Sequence, residues 1–284
     1  VEDKPTTKKK SAISVVIHSF FVVPFIIAIF SVIIFLVARI ITAEPNTARD
    51  YLEDVKIGGN TKKWQGAFEL SKILSNPEMI PKDDRFIAEM ISIFNYAAND
   101  RDIRIRQYLA IAMGATGDAR FVETLLTALN QSDIEVMKAC AYALGNIQDD
   151  RAVEALIKSL DHQEPQMRLQ AVIALGKIGE QTSIPFLIEM LGDTEPNVKW
   201  DAAIALAKQK NSLGKRILLD LLDRKYLDSF ANIDEIEQIQ VLMVVINVVH
   251  LIKDSDFKAS LDKLKNTDSN MKVREAARNA LEKF

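Results

Sequence analysis

Few side chains in this sequence could do covalent chemistry, and they do not converge. There are three histidines, His18, His162 and His250, and one cysteine, Cys140. A metal site or proton relay needs two or more such groups at ligand spacing. His18 lies in a long apolar stretch, His162 in a turn and His250 in a second apolar run, and none has another ligand nearby. Cys140 has no internal disulfide partner and falls in an apolar column, so it reads as core. Ser260-Leu261-Asp262-Lys263 has the S-x-x-K spacing by which a lysine can activate a serine, without any of the motifs that accompany that chemistry. Gly114-Ala115-Thr116-Gly117 lacks the lysine of a phosphate loop and reads as a turn between helices. The expectation is no catalytic residue, no cofactor and no metal, which leaves surface as the means of function.

The elements that would position such a surface recur about every 31 residues. Four copies overlay without a gap: IRQYLAIAMGATGDARFVETLLTALN from Ile105, VMKACAYALGNIQDDRAVEALIKSLD from Val136, MRLQAVIALGKIGEQTSIPFLIEMLG from Met167 and VKWDAAIALAKQKNSLGKRILLDLLD from Val198. In the second copy Val136, Ala139, Cys140, Ala143 and Leu144 fall on one helical face, and after a turn Val153, Leu156, Ile157 and Leu160 fall on another. Helices this short are marginal alone and must bury their faces against neighbours.

The small column Ala112, Ala143, Ala174 and Ala205, each followed by Met or Leu, predicts close approach of successive first helices. Gly114, Gly145 and Gly176 are expected to end those helices at positive φ. Asp118, Asp149 and Glu180 precede the second helices as caps, and Pro165 and Pro196 open first helices. Asp102, Asp133, Glu164 and Glu195 form an acidic ladder, and Arg106, Arg168 and Lys199 a basic one that should pair with it.

The V-[RK]-x-x-A-A-x-A-L-G pattern, acidic turn and paired helices resemble HEAT repeats, closest to the PBS-lyase HEAT-like type. The resemblance is strong from Ile103 to Asp223 and weaker over Thr61–Ala98 and Ile236–Phe284. It implies an all-α fold, a right-handed α-α superhelix (HEAT-like solenoid). It also implies a binding scaffold, since family members are mostly scaffolds and a minority handle bilin chromophores. In solenoids of this kind the second helices are expected to line the concave side.

The net charge is −3, yet the first 43 residues are basic, with Lys4, Lys8, Lys9, Lys10 and Arg39 against Glu2 and Asp3. The repeats are therefore mildly acidic, which argues against nucleic acid as a partner. Residues 1–11 read as a basic tail. Residues 12–42 read as a transmembrane helix, because Phe20–Ala38 has no charge and the apolar run exceeds the length of a signal-peptide core. The lysines place the N-terminus in the cytoplasm and the solenoid outside, in the cell (inner) membrane. Residues 43–60 read as a juxtamembrane linker broken at Gly58-Gly59.

Repeats are expected over 61–98, 100–130, 131–161, 162–192, 193–223 and 236–266, with an insertion at Arg224–Glu235 and a terminal helix over 268–284. The apolar run Val241–Ile252 is too short to span a bilayer and reads as a buried helix. On the second helices Arg120, Glu123, Arg151, Glu154, Lys158, Glu189, Arg216 and Asp220 should face solvent as partner-binding candidates. On the first helices the column Gln107, Lys138, Leu169, Trp200, with Trp64 in register, turns apolar at its end. Leu169 and Trp200 are candidates for a docking patch, the alternative being that Trp200 packs under the insertion. The function read from this is a membrane-anchored, non-catalytic scaffold that binds other proteins as an accessory subunit or assembly factor of a membrane complex. The alternative is a bilin-lyase-like, ligand-handling protein.

Overall fold

A computed structural model describes residues 18–42, 46–131, 133–231 and 233–284. The expected basic tail over 1–11, the opening of the expected span over 12–17 and linker residues 43–45 lie outside them. The chain divides into two compact units, one ending at Asn46 and one running from Thr47 to Phe284.

In the first unit, α1 (Val23–Thr42) continues a π-wound turn, His18–Val22. Pro24 sits at the join, and the wider turn ahead of it accommodates the ring and its missing N–H. Phe20–Val37 is long and apolar enough to cross a membrane, and its side chains are exposed. Those properties suit a membrane anchor or a signal sequence.

The second unit is a stack of paired helices. It begins earlier than the sequence suggested. Much of the expected linker is α2 (Ala48–Ile57), closed by a capping box between Thr47 and Asp50 and burying Leu52 and Val55. It packs on α3 (Asn60–Ile73), which pairs with α4 (Asp84–Tyr96). The repeats follow as α5 (Ile103–Thr116) with α6 (Val122–Gln131), α7 (Ile134–Ile147) with α8 (Val153–Ser159), α9 (Pro165–Ile178) with α10 (Ile184–Glu189), and α11 (Pro196–Lys208) with α12 (Lys215–Leu221). The insertion holds a single turn, α13 (Arg224–Leu227). It is followed by α14 (Glu235–Val249), α15 (Asp256–Thr267) and α16 (Met271–Leu281). The apolar run near position 245 is thus a helix of the stack, with Leu242, Val245, Ile246 and Val249 fully buried.

First helices lie in one row, α3, α5, α7, α9 and α11, and touch their neighbours along their length. The contact is made by glycine on alanine. A Cβ at Gly114 would lie 2.5 Å from the Cα of Ala143, one at Gly145 2.7 Å from the Cα of Ala174, and one at Gly176 2.7 Å from the Cβ of Ala205. This corrects the expectation that these glycines end the helices. They lie inside them, two residues before the last helical position. The left-handed position falls three residues later, at Gly117 (φ 67°), Gln148 (φ 58°), Gly179 (φ 77°) and Lys210 (φ 59°). Successive second helices scarcely touch one another and pack instead between first helices. The first helices thus form one close-packed row and the second helices a looser one.

The turns behave as the acidic residues indicate, with exceptions. Asp102, Asp118, Asp133 and Asp149 each accept a backbone N–H two residues on, whereas Glu164, Glu180 and Glu195 make no cap bond. Arg168 of the basic ladder does not pair with the acidic one. Arg168 forms a bidentate pair with Asp193 at 2.7 and 2.9 Å, the two side chains being 13% and 5% exposed, and donates to the carbonyls of His162 and Gln163. Arg224 grips Asp268 in the same way at 2.8 and 2.9 Å, and Lys63 reaches Asp100 at 3.1 Å. Each of these acids also caps its own turn, so one carboxylate ties a turn to an earlier helix.

The core forms two clusters that meet in α11, where Ala202, Ala205 and Leu206 belong to one and Trp200, Ala203, Ile204 and Ala207 to the other. In an ordinary helix interior alanine is favoured over glycine by about 1 kcal/mol. At Gly145 the added methyl meets backbone that cannot step aside, so Gly145→Ala should instead destabilise the protein by about 1–3 kcal/mol. Urea unfolding followed by circular dichroism checks the sign.

Candidate functional site

The isolated reactive groups serve structure. His162 Nδ1 accepts the backbone N–H of Glu164 at 3.0 Å, filling the turn position that Asp193 fills one repeat later. Cys140 is fully buried, and burial pushes its thiol up to about 12. Lys263 pairs with Asp223 at 3.2 Å rather than with Ser260. His250 caps α14, and burial together with Lys283 lowers its pKa. Among the described residues no group of three His, Cys, Asp or Glu is placed to hold a metal.

The second-helix candidates are exposed but engaged. Arg151 forks onto Asp149 at 2.8 and 2.9 Å, reaches Glu123 at 3.2 Å and donates to the Ala119 carbonyl at 2.9 Å. Arg120 forks onto Asp118 and reaches back to Asp84. These arginines hold Asp118 and Asp149 below the usual carboxylate range. Lys158 pairs with Glu154 at 2.8 Å and Arg216 with Asp220 at 3.3 Å, both one turn apart, and Glu189 is exposed. On this side Arg120 and Arg151 tie neighbouring repeats together while the other pairs stay within one helix, and each pair is weak because it is solvated.

The row of first helices is different, because its exposed face is broken by clefts at equivalent helical positions. One of about 420 Å³ lies against α3, lined by Tyr51, Asp54, Trp64 and Phe68. One of about 440 Å³ crosses α5, α7 and α9, lined by Tyr108, Ile111, Glu135, Lys138, Tyr142 and Gln170. One of about 340 Å³ lies between α11 and α14, lined by Trp200, Asp201, Ile204, Glu237, Val241 and Val244. The column Gln107, Lys138, Leu169, Trp200 belongs to this face, as does the next one, Tyr108, Ala139, Gln170, Asp201. Aromatic rings floor it. Phe68 meets Tyr108 edge-on at 5.2 Å, Arg104 lies over Trp64 at 4.4 Å and Lys177 over Tyr142 at 4.7 Å.

Trp200 itself is not a free docking group. It is 5% exposed and packs edge-on against Phe230 at 5.0 Å and Tyr226 at 6.4 Å, both from the insertion. The patch expected of Leu169 and Trp200 is therefore covered at Trp200, while Leu169 and Trp64 are half-buried at the rim. The residue that sequence reasoning passed over is Asp201. Its carboxylate is half-buried between apolar walls, and among the described residues it has no hydrogen bond or ion pair. Burial pushes its pKa up to about 6, with Lys208 opposing. In the neighbouring cleft the amide oxygen of Gln170, at the same position one repeat earlier, is also buried without a partner.

Two outcomes follow. Trp200→Ala should cost about 3–5 kcal/mol in chemical unfolding of the protein alone, because it empties a packed aromatic site. For Asp201 the folded pKa of about 6 lies above the unfolded value of 3.8. The native state therefore holds the proton more tightly, and stability falls as pH rises between those values. Asp201→Asn should raise stability by roughly 2 kcal/mol at pH 7 and leave it unchanged below pH ~4. Melting curves of both proteins at the two pH values measure this.

Comparison with known families matches the HEAT repeats family to residues 92–166 and 153–229. Comparison with characterised proteins finds no match. Among solved structures the chain is similar to the complex of CpcE and CpcF of phycocyanin lyase from Nostoc sp. PCC7120, with 20% identity, a TM-score of 0.59, and coverage of 84% of this chain and 88% of that one. It is also similar to the archaeal HEAT-like repeats protein from Thermococcus onnurineus NA1, with 16% identity, a TM-score of 0.46, and coverage of 85% and 98%. At such identities the likeness concerns the fold. The 31-residue pattern, the two rows of paired helices and the matched segments lead to one conclusion: residues 92–229 of the chain are HEAT repeats.

Proposed function

We propose that this protein is a membrane-anchored binding scaffold, a non-catalytic accessory subunit or assembly factor that holds other proteins of a membrane complex. The observation that carries the reading is the run of clefts along the row of first helices, with aromatic floors and polar rims at repeating positions. Such a face suits an extended or helical partner segment better than a single compact ligand. HEAT repeats generally mediate protein interactions, and the phycocyanin lyase structure is itself a complex of two chains. The exposed apolar helix α1 supplies the anchor, with the N-terminus in the cytoplasm and the repeats on the other side of the cell membrane.

The second reading, handling of a chromophore, is favoured by the similarity to the lyase complex. Extraction of the tagged full-length chain in mild detergent, followed by mass spectrometry, separates the two. A stoichiometric set of membrane proteins is expected. A chain that purifies alone, or with a bound tetrapyrrole and no protein, overturns the scaffold. Protease added to intact right-side-out spheroplasts should digest the repeats; protection would reverse the orientation.

A further inference from the structure

Each of these three clefts on the first helices contains carboxylates, and the chain treats them differently. In the cleft against α3, Asp54 is paired by Lys62 at 2.7 Å and Glu69 by Lys72 at 3.0 Å. In the cleft across α5, α7 and α9, Glu135 is paired by Lys138 at 2.7 Å. In the cleft between α11 and α14, Asp201 has no such lysine. The lining contains no cationic side chain at all, and Glu237 from α14 adds a second negative group at the rim. Lys208, near the end of α11, acts on Asp201 only through its field.

We propose that the cleft between α11 and α14 seats a lysine or arginine side chain of a partner protein, with Asp201 as its counter-ion. The inference rests on the scaffold reading and specifies its chemistry. Asp201 is half-buried among apolar walls with no ion-pair partner among the described residues, so the cleft presents a carboxylate whose charge the chain leaves unneutralised. Folding has already removed much of the water around Asp201, so an arriving cation meets a carboxylate in a medium that screens it weakly. The walls suit the rest of such a side chain. Trp200, Ile204, Val241 and Val244 offer apolar surface to a methylene stem, while Asp201 and Glu237 take its charged end. A volume of about 340 Å³ accommodates one long side chain and lies at the small end for enclosing a whole organic ligand. Val244 and Ile236, 44% and 66% exposed on α14, extend the apolar surface beyond the cleft for the backbone that carries the charge.

The test uses the full-length chain extracted with its partners. Asp201→Lys should reduce captured partner at least tenfold, and Asp201→Asn should reduce it clearly while melting no lower than the parent, which separates lost binding from lost folding. A photo-crosslinker at Gln240, which lines the cleft, then maps the partner segment. Reversing the mapped basic residue to aspartate should restore capture by Asp201→Lys. Undiminished capture by both Asp201 variants, or a mapped segment in which no Lys or Arg reversal gives rescue, overturns the inference and leaves the scaffold reading standing. A parent chain that captures no partner removes both.

Discussion

Backbone-to-backbone approach of successive first helices is the constraint on which the rest of the molecule depends. Gly114, Gly145 and Gly176 lie against Ala143, Ala174 and Ala205 so closely that there is no room for even one added carbon. This contact sets the repeat spacing in the row of first helices. It also explains why the pattern ends where it does. Ala207 stands where the next glycine would be, and the helix that follows α11 in the stack, α14, arrives only after an insertion. The regular seat is lost there, and a cleft opens between the two helices.

The two sides of the stack are consequently held by different forces. Between first helices, steric fit and apolar burial dominate, since the small side chains of one helix interlock with those of the next. On the other side, arginines bridge the gaps between second helices that do not meet. Between the rows, Arg168–Asp193 and Arg224–Asp268 fasten turns to earlier helices. These pairs lie deep enough that losing one partner would strand a charge away from water. The functional candidates follow from this division. The second-helix side chains spend their donors on architecture, whereas the face of the first helices retains groups the chain does not satisfy.

Much of the fold was legible because the helical period and the 31-residue repeat reinforce each other. The alanine half of the contact between first helices could be read directly. The glycine half was misread, because a glycine after A-x-A-L signals either a helix end or a close neighbour, and only the structure shows it two residues short of the end. The helix α2 carried a readable sign, Thr47 three residues before Asp50, which the neighbouring Gly58-Gly59 obscured. The tethers of Asp193 and Asp268 could not be read, since their arginines lie 25 and 44 residues away in the chain. Asp201 was hidden for the same reason. Its surroundings are built by α14, and nothing local in V-K-W-D-A-A reveals what folds across it.

The unequal rows give the stack a built-in asymmetry of stiffness. The row of first helices resists compression by hard contact between main chains. The second-helix side resists opening largely through solvated charge pairs such as Arg151 with Glu123. Such pairs weaken as ions are added, with a screening length of about 8 Å at physiological ionic strength. The stack is thus hinged along its glycine seam, and the compliance of its second-helix side is set by the surrounding electrolyte.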